Sequence, residues 1–195
     1  MPRPLIETLA PGDAAAFVAH LRRHLSENGA HGVIYAPVDA RDVGDSPTEL
    51  HKRAVAWARC LTRKLDKPDW RRVLVIRDPA LSREVRARQP DRGIVAHLDL
   101  RSGALRTELH RCSVAMGMYE PFRGRGWGRA LLQEAIAWAQ RQPGLDWMDL
   151  GVFSQNGGAR YLYESTGFRE TGRVVDRFRV QGGSVDDVQM TLRLR

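Results

Sequence analysis

The residues from Met116 to Gln140 constrain the fold more than any other part of the sequence. Gly124, Gly126 and Gly128 alternate with other residues directly before an amphipathic run, which predicts a strand, a tight turn and a helix. Glycines let the backbone wrap closely around a ligand, and the first turn of a helix offers N–H groups that have no intrahelical partner. The turn therefore predicts a phosphate site, and a pyrophosphate is the natural ligand.

The spacing of this turn separates it from two other phosphate motifs. A dinucleotide-binding fingerprint would need a third glycine where Arg129 stands, and a P-loop would need a Gly-Lys-Ser/Thr sequence that is absent. Arg123, Arg125 and Arg129 would instead add to the positive end of the helix dipole. The pattern left is Arg-x-x-Gly-x-Gly, from Arg123 to Gly128, opening a helix after a strand.

Composition predicts a single domain over residues 1–195. Hydrophobic residues make up 43% and charged residues 28% of the chain, as in ordinary globular proteins, and no apolar run approaches the roughly 20 residues of a membrane span. The N-terminus has no apolar signal core, so we expect a cytoplasmic protein without a membrane partner. Cys60 and Cys112 fit no disulfide framework or zinc motif and are predicted to be reduced packing residues.

The net charge of +8 favours polyanionic partners in principle. The arginines are scattered along the whole chain rather than clustered, however, which is typical of solvated surfaces. We therefore expect no nucleic-acid partner, although the basic surface keeps that alternative open to a binding assay.

Hydrophobic periodicity predicts the element order β-α-α-β-β-β-α-β-α-β-β. The predicted strands are Leu5–Leu9, Val73–Ile76, Gly93–Arg101, Leu109–Tyr119, Trp147–Phe153, Val174–Val180 and Val188–Leu194. The predicted helices run from Asp13 to Asn28, from Ser46 to Pro68, from the glycine turn to Pro143, and from Gly158 to Thr166. Two segments have no clear period: Ala30 to Asp45 is predicted as a loop, and Ala80 to Arg92 as a short helical turn or loop.

The glycine turn and a second motif together resemble the GNAT family, the Gcn5-related N-acetyltransferases. The second motif reads Val152-x-x-x-Asn156-x-x-Ala159-x-x-Leu162-Tyr163-Glu164-x-x-Gly167-Phe168. The resemblance covers the chain from about Ile94 to Leu194. It implies an α+β fold with a central, mostly antiparallel twisted sheet of six or seven strands, splayed at the acyl-CoA site and flanked by about four helices.

The resemblance also implies an activity, namely transfer of the acetyl group of acetyl-CoA to a primary amine by direct transfer in a ternary complex. The acceptor would be a small molecule, a peptide or protein N-terminus, or a lysine, and no metal is expected. The Met118 N–H would stabilise the oxyanion, and the Tyr163 hydroxyl would protonate the departing thiolate. Coenzyme A binding is implied for Met116, Gly117, Met118, Arg123, Gly124, Arg125, Gly126, Trp127, Gly128, Arg129, Asn156 and Tyr163.

The general base is not marked by a motif, because the strand from Leu109 to Met118 lacks the glutamate that some relatives carry. His97, His110 and Asp99 are the candidates, and histidine titrates near the working pH. A single histidine on a strand is more often a structural residue than a catalytic one. His20 and His24 lie one helical turn apart without an evident third ligand, so they are predicted to be a solvated helix face rather than a metal site.

Three further points stay open. The missing strand glutamate leaves a non-catalytic acyl-CoA-binding regulatory module of the same fold as an alternative. Family members are often homodimers, so the resemblance also admits a homodimer. The acceptor is not marked: Asp39, Asp42 and Asp45 could attract a cationic amine, whereas Arg173, Arg177 and Arg179 could attract an acidic one.

Overall fold

A seven-stranded sheet forms the centre of the protein, for which a computed structural model describes residues 3–29, 36–37 and 46–195. The strands are β1 (Ile6–Thr8), β2 (Arg71–Arg77), β3 (Ile94–Arg101), β4 (Arg111–Met118), β5 (Trp147–Phe153), β6 (Arg169–Val180) and β7 (Gly183–Arg193). The helices are α1 (Ala14–Ser26), α2 (Pro47–Thr62), α3 (Arg83–Arg88), α4 (Trp127–Gln140) and α5 (Gly157–Glu164). Across the sheet the strand order is β1-β2-β3-β4-β5-β7-β6.

This architecture confirms the predicted α+β fold class and the predicted order of elements. The sheet is mostly antiparallel, as expected, with β4 and β5 as its parallel pair. The structure adds α3 within the segment from Ala80 to Arg92. The predicted loop from Ala30 to Asp45 lies outside the described residues, except for positions 36 and 37.

Specific side chains set the two ends of α2. The Ser46 hydroxyl accepts a hydrogen bond from the Glu49 N–H (3.3 Å) and caps the helix where the sequence predicted its start. At the other end the Arg72 guanidinium of β2 donates to the carbonyl oxygens of Leu61 (3.1 Å) and Arg63 (2.8 Å). Because these carbonyl oxygens accept from Arg72, they do not need N–H donors from a further helical turn. Helix α2 therefore ends before Pro68, where the sequence predicted its end.

Helices cover both faces of the sheet and enclose two clusters of apolar side chains. On one face, α1 and α2 pack against β2 and β3 through Leu9, Ala14, Phe17, Leu61, Val73, Val75 and Ile94. On the other face, α4 and α5 pack against the middle strands, and the cluster there includes Leu98, Leu100, Leu131, Leu132, Met148, Leu150, Tyr163 and Phe168. Because successive strand residues point to opposite faces, the α1/α2 face also receives His97 and Asp99 of β3.

The sheet opens between β4 and β5. Their parallel pairing covers Arg111–Ser113 with Trp147–Asp149 and stops there. Both strands continue beyond this point and stay paired on their outer sides, β4 with β3 as far as Met118 and β5 with β7 as far as Phe153. The inner edges of their last residues therefore diverge and leave a wedge-shaped gap, which we call the β4–β5 gap.

A charged cluster closes the narrow end of this gap. The Arg111 guanidinium donates to both oxygens of Asp149, with Nε–Oδ2 at 2.7 Å and Nη2–Oδ1 at 2.5 Å. The Thr191 hydroxyl of β7 donates to the same carboxylate (2.8 Å), and Arg111 lies over the Trp147 ring. Three strands are thus joined where the pairing of β4 and β5 ends, which fixes the position of the gap.

We expect Asp149→Asn to lower the free energy of unfolding by about 1 kcal/mol, because it removes a charge-assisted two-bond contact that remains one third exposed. The measurement is the urea midpoint. Asp66→Asn is the matched control, since Asp66 pairs with Lys67 at 3.8 Å on the open surface and should cost less than about 0.5 kcal/mol. Equal losses in both variants would contradict a role for this cluster in holding the strands together.

Candidate functional site

The backbone of β4 turns alternate peptide groups toward the β4–β5 gap. The Tyr119 N–H donates to Val95 O (2.9 Å), so the odd-numbered residues at this end of β4 bond to β3. The even-numbered residues Met116 and Met118 then direct their N–H and C=O groups to the other side. That side is the gap, where pairing with β5 has ended. The end of β4 therefore offers an unfilled sheet edge.

The glycine turn follows β4 and shows why glycines are needed there. Gly124 and Gly126 have φ angles of 72° and 77°, in the left-handed region that side chains disfavour. A Cβ at either position would meet nothing within 4 Å, so the requirement concerns the backbone and not space. Both residues are exposed, and the turn presents its peptide groups to the outside.

A third glycine brings the start of α4 close to the end of β4. A Cβ on Gly128 would lie 3.4 Å from Met116 Cε and 3.5 Å from Leu162 Cδ2, at ordinary contact distance, so the helix start lies beside both β4 and α5. The first N–H groups of α4, at Trp127, Gly128 and Arg129, have no partner within the helix. The donor groups of the turn, the helix start and the gap therefore lie side by side.

The three arginines of the turn are each attached to a neighbouring group. Arg123 Nε donates to Met118 O (3.0 Å), Arg125 Nη2 donates to Pro121 O (2.9 Å), and Arg129 Nη2 donates to Ser165 Oγ (2.8 Å). Their charges consequently stay close to the glycine turn. Together with the helix dipole they make this region favourable for an anion.

Helix α5 contributes the two residues of the second motif. The Asn156 side chain accepts from the Ala159 N–H (3.1 Å) and so caps the helix. Tyr163 is 7% exposed, packs against Phe168 with ring centroids 5.9 Å apart, and burial raises its pKa to about 12. Its hydroxyl therefore remains protonated at neutral pH, as a proton donor must.

The three candidates for the general base occupy different places. His110 is exposed and precedes β4 at the end opposite Met118, on the order of 25 Å away at about 3.3 Å per residue. Asp99 is buried, its Oδ2 accepts from Arg71 (2.6 Å), and burial raises its pKa to about 6. His97 lies directly beside the end of β4, where it pairs with Gly117.

His20 and His24 of α1 join His97 in a buried cluster, which corrects the prediction of a solvated helix face. They are 0% and 6% exposed, and His97 is 5% exposed. His20 Nδ1 lies 3.0 Å from Ile94 O, and His20 Nε2 lies 2.8 Å from His97 Nδ1. The sequence could have indicated this burial, because His20 and His24 fall at helical spacing on the same side of α1 as Phe17.

Burial controls the ionisation of all three rings. Loss of water lowers the pKa of His20 to about 3 and that of His24 to about 4, with neighbouring positive charge as a smaller cause. Burial also holds the pKa of His97 well below its usual value. At neutral pH the cluster is uncharged, and each ring carries one N–H and one lone pair.

The β6–β7 turn and the end of α1 border the same face of the sheet. Gln181 Nε2 donates to Asn28 O (3.4 Å), and the Asn28 side chain exchanges two hydrogen bonds with the backbone of Ala36. Asp39, Asp42 and Asp45, the candidate acidic residues for a cationic acceptor, lie outside the described residues. Arg173, Arg177 and Arg179 are exposed on β6.

The described residues contain no arrangement typical of a metal site or a membrane span. Among residues 3–29, 36–37 and 46–195, no group of three or more His, Cys, Asp or Glu is arranged to hold a metal ion. In the histidine cluster, nitrogens of His20 and His97 point at each other rather than at a common centre. Every helix within the described part of the chain is too short or too polar to cross a membrane. Cys60 and Cys112 are free cysteines.

Comparisons with known proteins agree with this geometry. The family model described as the acetyltransferase (GNAT) family matches residues 63–168, just over half of the chain. A Bacillus subtilis (strain 168) protein named Uncharacterized N-acetyltransferase YycN is 44% identical over 61 residues, which cover 31% of this chain and 38% of that protein. The match thus spans well under half of this relative.

Solved structures show the same fold at low sequence identity. An acetyltransferase of the GNAT family from Streptococcus pneumoniae has a TM-score of 0.76 at 20% identity, covering 97% of this chain and 98% of that one. The structure of yncA from Salmonella typhimurium with its cofactor acetyl-CoA has a TM-score of 0.72 at 19% identity, covering 100% and 95%. With the family model matching more than half of its length, this chain belongs to the GNAT family of acetyltransferases.

Proposed function

We propose that the protein transfers the acetyl group of acetyl-CoA to a primary amine, by direct transfer while both substrates are bound. The observation that carries this proposal is the β4–β5 gap, whose free peptide groups lie beside a glycine turn and a helix start. The acceptor would be a small molecule, a peptide or protein N-terminus, or a lysine. Solved relatives with acetyl-CoA bound, yncA and the phosphinothricin acetyltransferase of Sinorhizobium meliloti, support the choice of donor.

The residues of the gap fit the pantetheine arm of the donor. Pantetheine carries amide groups, and the N–H and C=O groups of Met116 and the N–H of Met118 point into the gap like those of an unpaired strand, whereas the Met118 C=O accepts from Arg123. The arm would bind as an additional strand between β4 and β5, so the backbone and not the side chains would provide the hydrogen bonds. Gly117, between them, has no side chain and leaves room for the His24 and His97 rings.

The glycine turn fits the pyrophosphate of the donor. The peptide N–H groups from Gly124 to Arg129 are exposed or lie at a helix start, and the flanking arginine charges are held nearby. Only Tyr119 and the short 3-10 helix Glu120–Phe122 separate β4 from the turn, so the turn lies close to the end of the gap. Asn156 caps α5, and a contact between its side chain and pantetheine is part of the same proposal.

Two groups then serve the chemistry on the donor side. The Met118 N–H would donate to the thioester oxygen as negative charge develops there, a fixed donor worth about 3–4 kcal/mol in comparable sites. Tyr163 would give its proton to the thiolate as the carbon–sulfur bond breaks, since its raised pKa keeps it protonated until then. Of the candidate bases we choose His97, because His110 and the end of β4 lie far apart.

Acetyl-CoA at 100 times its Kd should raise the melting temperature by about 5–10 °C, and a reactive amine should release free thiol. Gly126→Ala should reduce the thermal shift, because alanine is strained at a φ of 77°. Gly144→Ala is the matched control, since it lies in open space after α4. The absence of any shift with acetyl-CoA would refute the proposal, and binding without thiol release across a broad amine panel would favour the non-catalytic module.

Tyr163→Phe should lower kcat about 100-fold and leave the Kd of acetyl-CoA nearly unchanged, because phenylalanine keeps the packing against Phe168 but has no proton to give. Steady-state thiol release and calorimetric binding measure the two quantities. Tyr161→Phe on the same helix is the control, because Tyr161 is 69% exposed. A wild-type kcat for Tyr163→Phe would remove the general-acid role.

A further inference from the structure

We propose that His20 is a positioning residue for the acetyl transfer, holding the His97 ring in the tautomer whose Nε2 lone pair can take the proton of the acceptor amine. This rests on the proposed function and adds a residue outside both sequence motifs. His20 lies on α1, whereas His97 lies on β3, and the two meet only because α1 packs across the sheet.

The hydrogen bonds of His20 determine the tautomer step by step. Ile94 O can only accept, so the His20 nitrogen 3.0 Å from it, Nδ1, must carry the hydrogen. In an uncharged ring the other nitrogen, Nε2, then carries a lone pair and accepts. Its partner at 2.8 Å, His97 Nδ1, must therefore be the donor. The hydrogen of His97 is thus on Nδ1, and its lone pair is on Nε2.

The position of Gly117 places His97 next to the reacting groups. A Cβ at Gly117 would lie 2.6 Å from His97 Cε1 and 2.3 Å from His24 Nε2, so both rings rest against this residue. The following residue is Met118, whose N–H points into the β4–β5 gap. The base and the oxyanion donor are therefore neighbours, with the base on the α1 face of the sheet. An amine would approach from that face.

The proton transfers balance with these groups alone. The neutral amine attacks the thioester carbonyl carbon, forming the carbon–nitrogen bond as the carbon–sulfur bond breaks. One amine proton passes to His97 Nε2, and the Tyr163 hydroxyl proton passes to the leaving sulfur. His97 then returns its proton through water to the tyrosinate, which restores both groups for the next cycle.

The surroundings of the cluster keep His20 both fixed and uncharged. Its ring stacks between those of Phe17 and His24, with centroids 6.0 and 6.2 Å away, and lies 4.9 Å from the ring of Tyr119. The charged and titratable groups facing the cluster are Arg23 and His24 of α1, Glu27 directly after α1, Asp91 before β3, Asp99 of β3, Tyr119 after β4 and Arg123 of the glycine turn.

These groups favour the neutral form overall. Asp91 is held by Arg23 (3.2 Å) and by the Tyr119 hydroxyl (3.3 Å), and Asp99 is held by Arg71 (2.6 Å). The positive charge of Arg123 opposes protonation of His24. With its acids engaged elsewhere, the cluster is neutral before the reaction, and the tautomer chain from Ile94 O to His97 persists until His97 takes the amine proton.

The direct test is the tautomer of His97, read from ¹⁵N chemical shifts of the histidine rings and assigned with His97→Gln. The wild type should carry the hydrogen on Nδ1, and in His20→Leu the ring should shift toward the Nε2–H form. His51→Leu, an exposed residue of α2, should leave the His97 signals unchanged. A wild-type His97 protonated on Nε2 would overturn the proposal, whether or not any variant folds and whether or not acetyl transfer is found.

Kinetics provide the second test once wild-type turnover is established. His20→Leu should lower kcat 10- to 100-fold with an unchanged KM for acetyl-CoA, and His20→Gln should recover part of the loss because its amide oxygen can accept from His97. Calorimetric binding of acetyl-CoA reports whether each variant is folded. A wild-type kcat in His20→Leu, or equal losses in both variants, would contradict the positioning role.

The stability of the protein should also fall in acid because of His20. Its pKa is about 3 in the folded state and about 6.5 when unfolded, so only the unfolded chain gains this proton between those values. The urea midpoint should therefore decrease as pH falls from 6.5 toward 4, and decrease less steeply in His20→Gln. Equal slopes would mean that His20 is already protonated in the folded protein, which would break the tautomer argument.

Discussion

The short parallel pairing between β4 and β5 is the constraint on which the rest of the structure depends. It ends at Ser113 and Asp149, although both strands continue and stay paired on their outer sides. Peptide groups in a sheet interior normally pair with a neighbouring strand, and at the end of β4 this sheet has peptide groups without a strand partner in its middle. The cluster around Arg111 fixes where the pairing of β4 with β5 ends. The glycine turn lies at the other end of the β4–β5 gap.

Two layers of the protein meet at this opening and contribute different chemistry. The layer with α4 and α5 supplies peptide donors, arginine charge and the buried Tyr163, which suit the proposed donor, acetyl-CoA. The layer with α1 and α2 supplies neutral imidazoles from the other side of the sheet. Gly117 lies between the two layers. Because it has no side chain, the histidine rings contact the strand at this residue.

Local sequence patterns predicted the turn and the helices of the layer with α4 and α5. They predicted the layer with α1 and α2 only in outline. The Arg123–Gly128 turn and the Asn156–Phe168 motif are short, contiguous segments whose spacing alone carries the information. The cluster of His20, His24 and His97 joins residues on two distant elements, and such a contact arises from the packing of α1 over β3. Periodicity could place His20 and His24 on the apolar side of α1, but the partner on β3 has no local signal.

The close contact at Gly117 also limits how this candidate site can vary among homologous proteins. The volume that a side chain would occupy at this position is already taken by His24 and His97, whose atoms lie 2.3 and 2.6 Å from the place of a Cβ. A carboxylate side chain at position 117 would occupy the same space as the histidine rings. The protein can therefore have the carboxylate or the histidine cluster, but not both. A lineage that exchanged one for the other would have to change residues on α1, β3 and β4 together, so this position should evolve in concerted steps and not by single replacements.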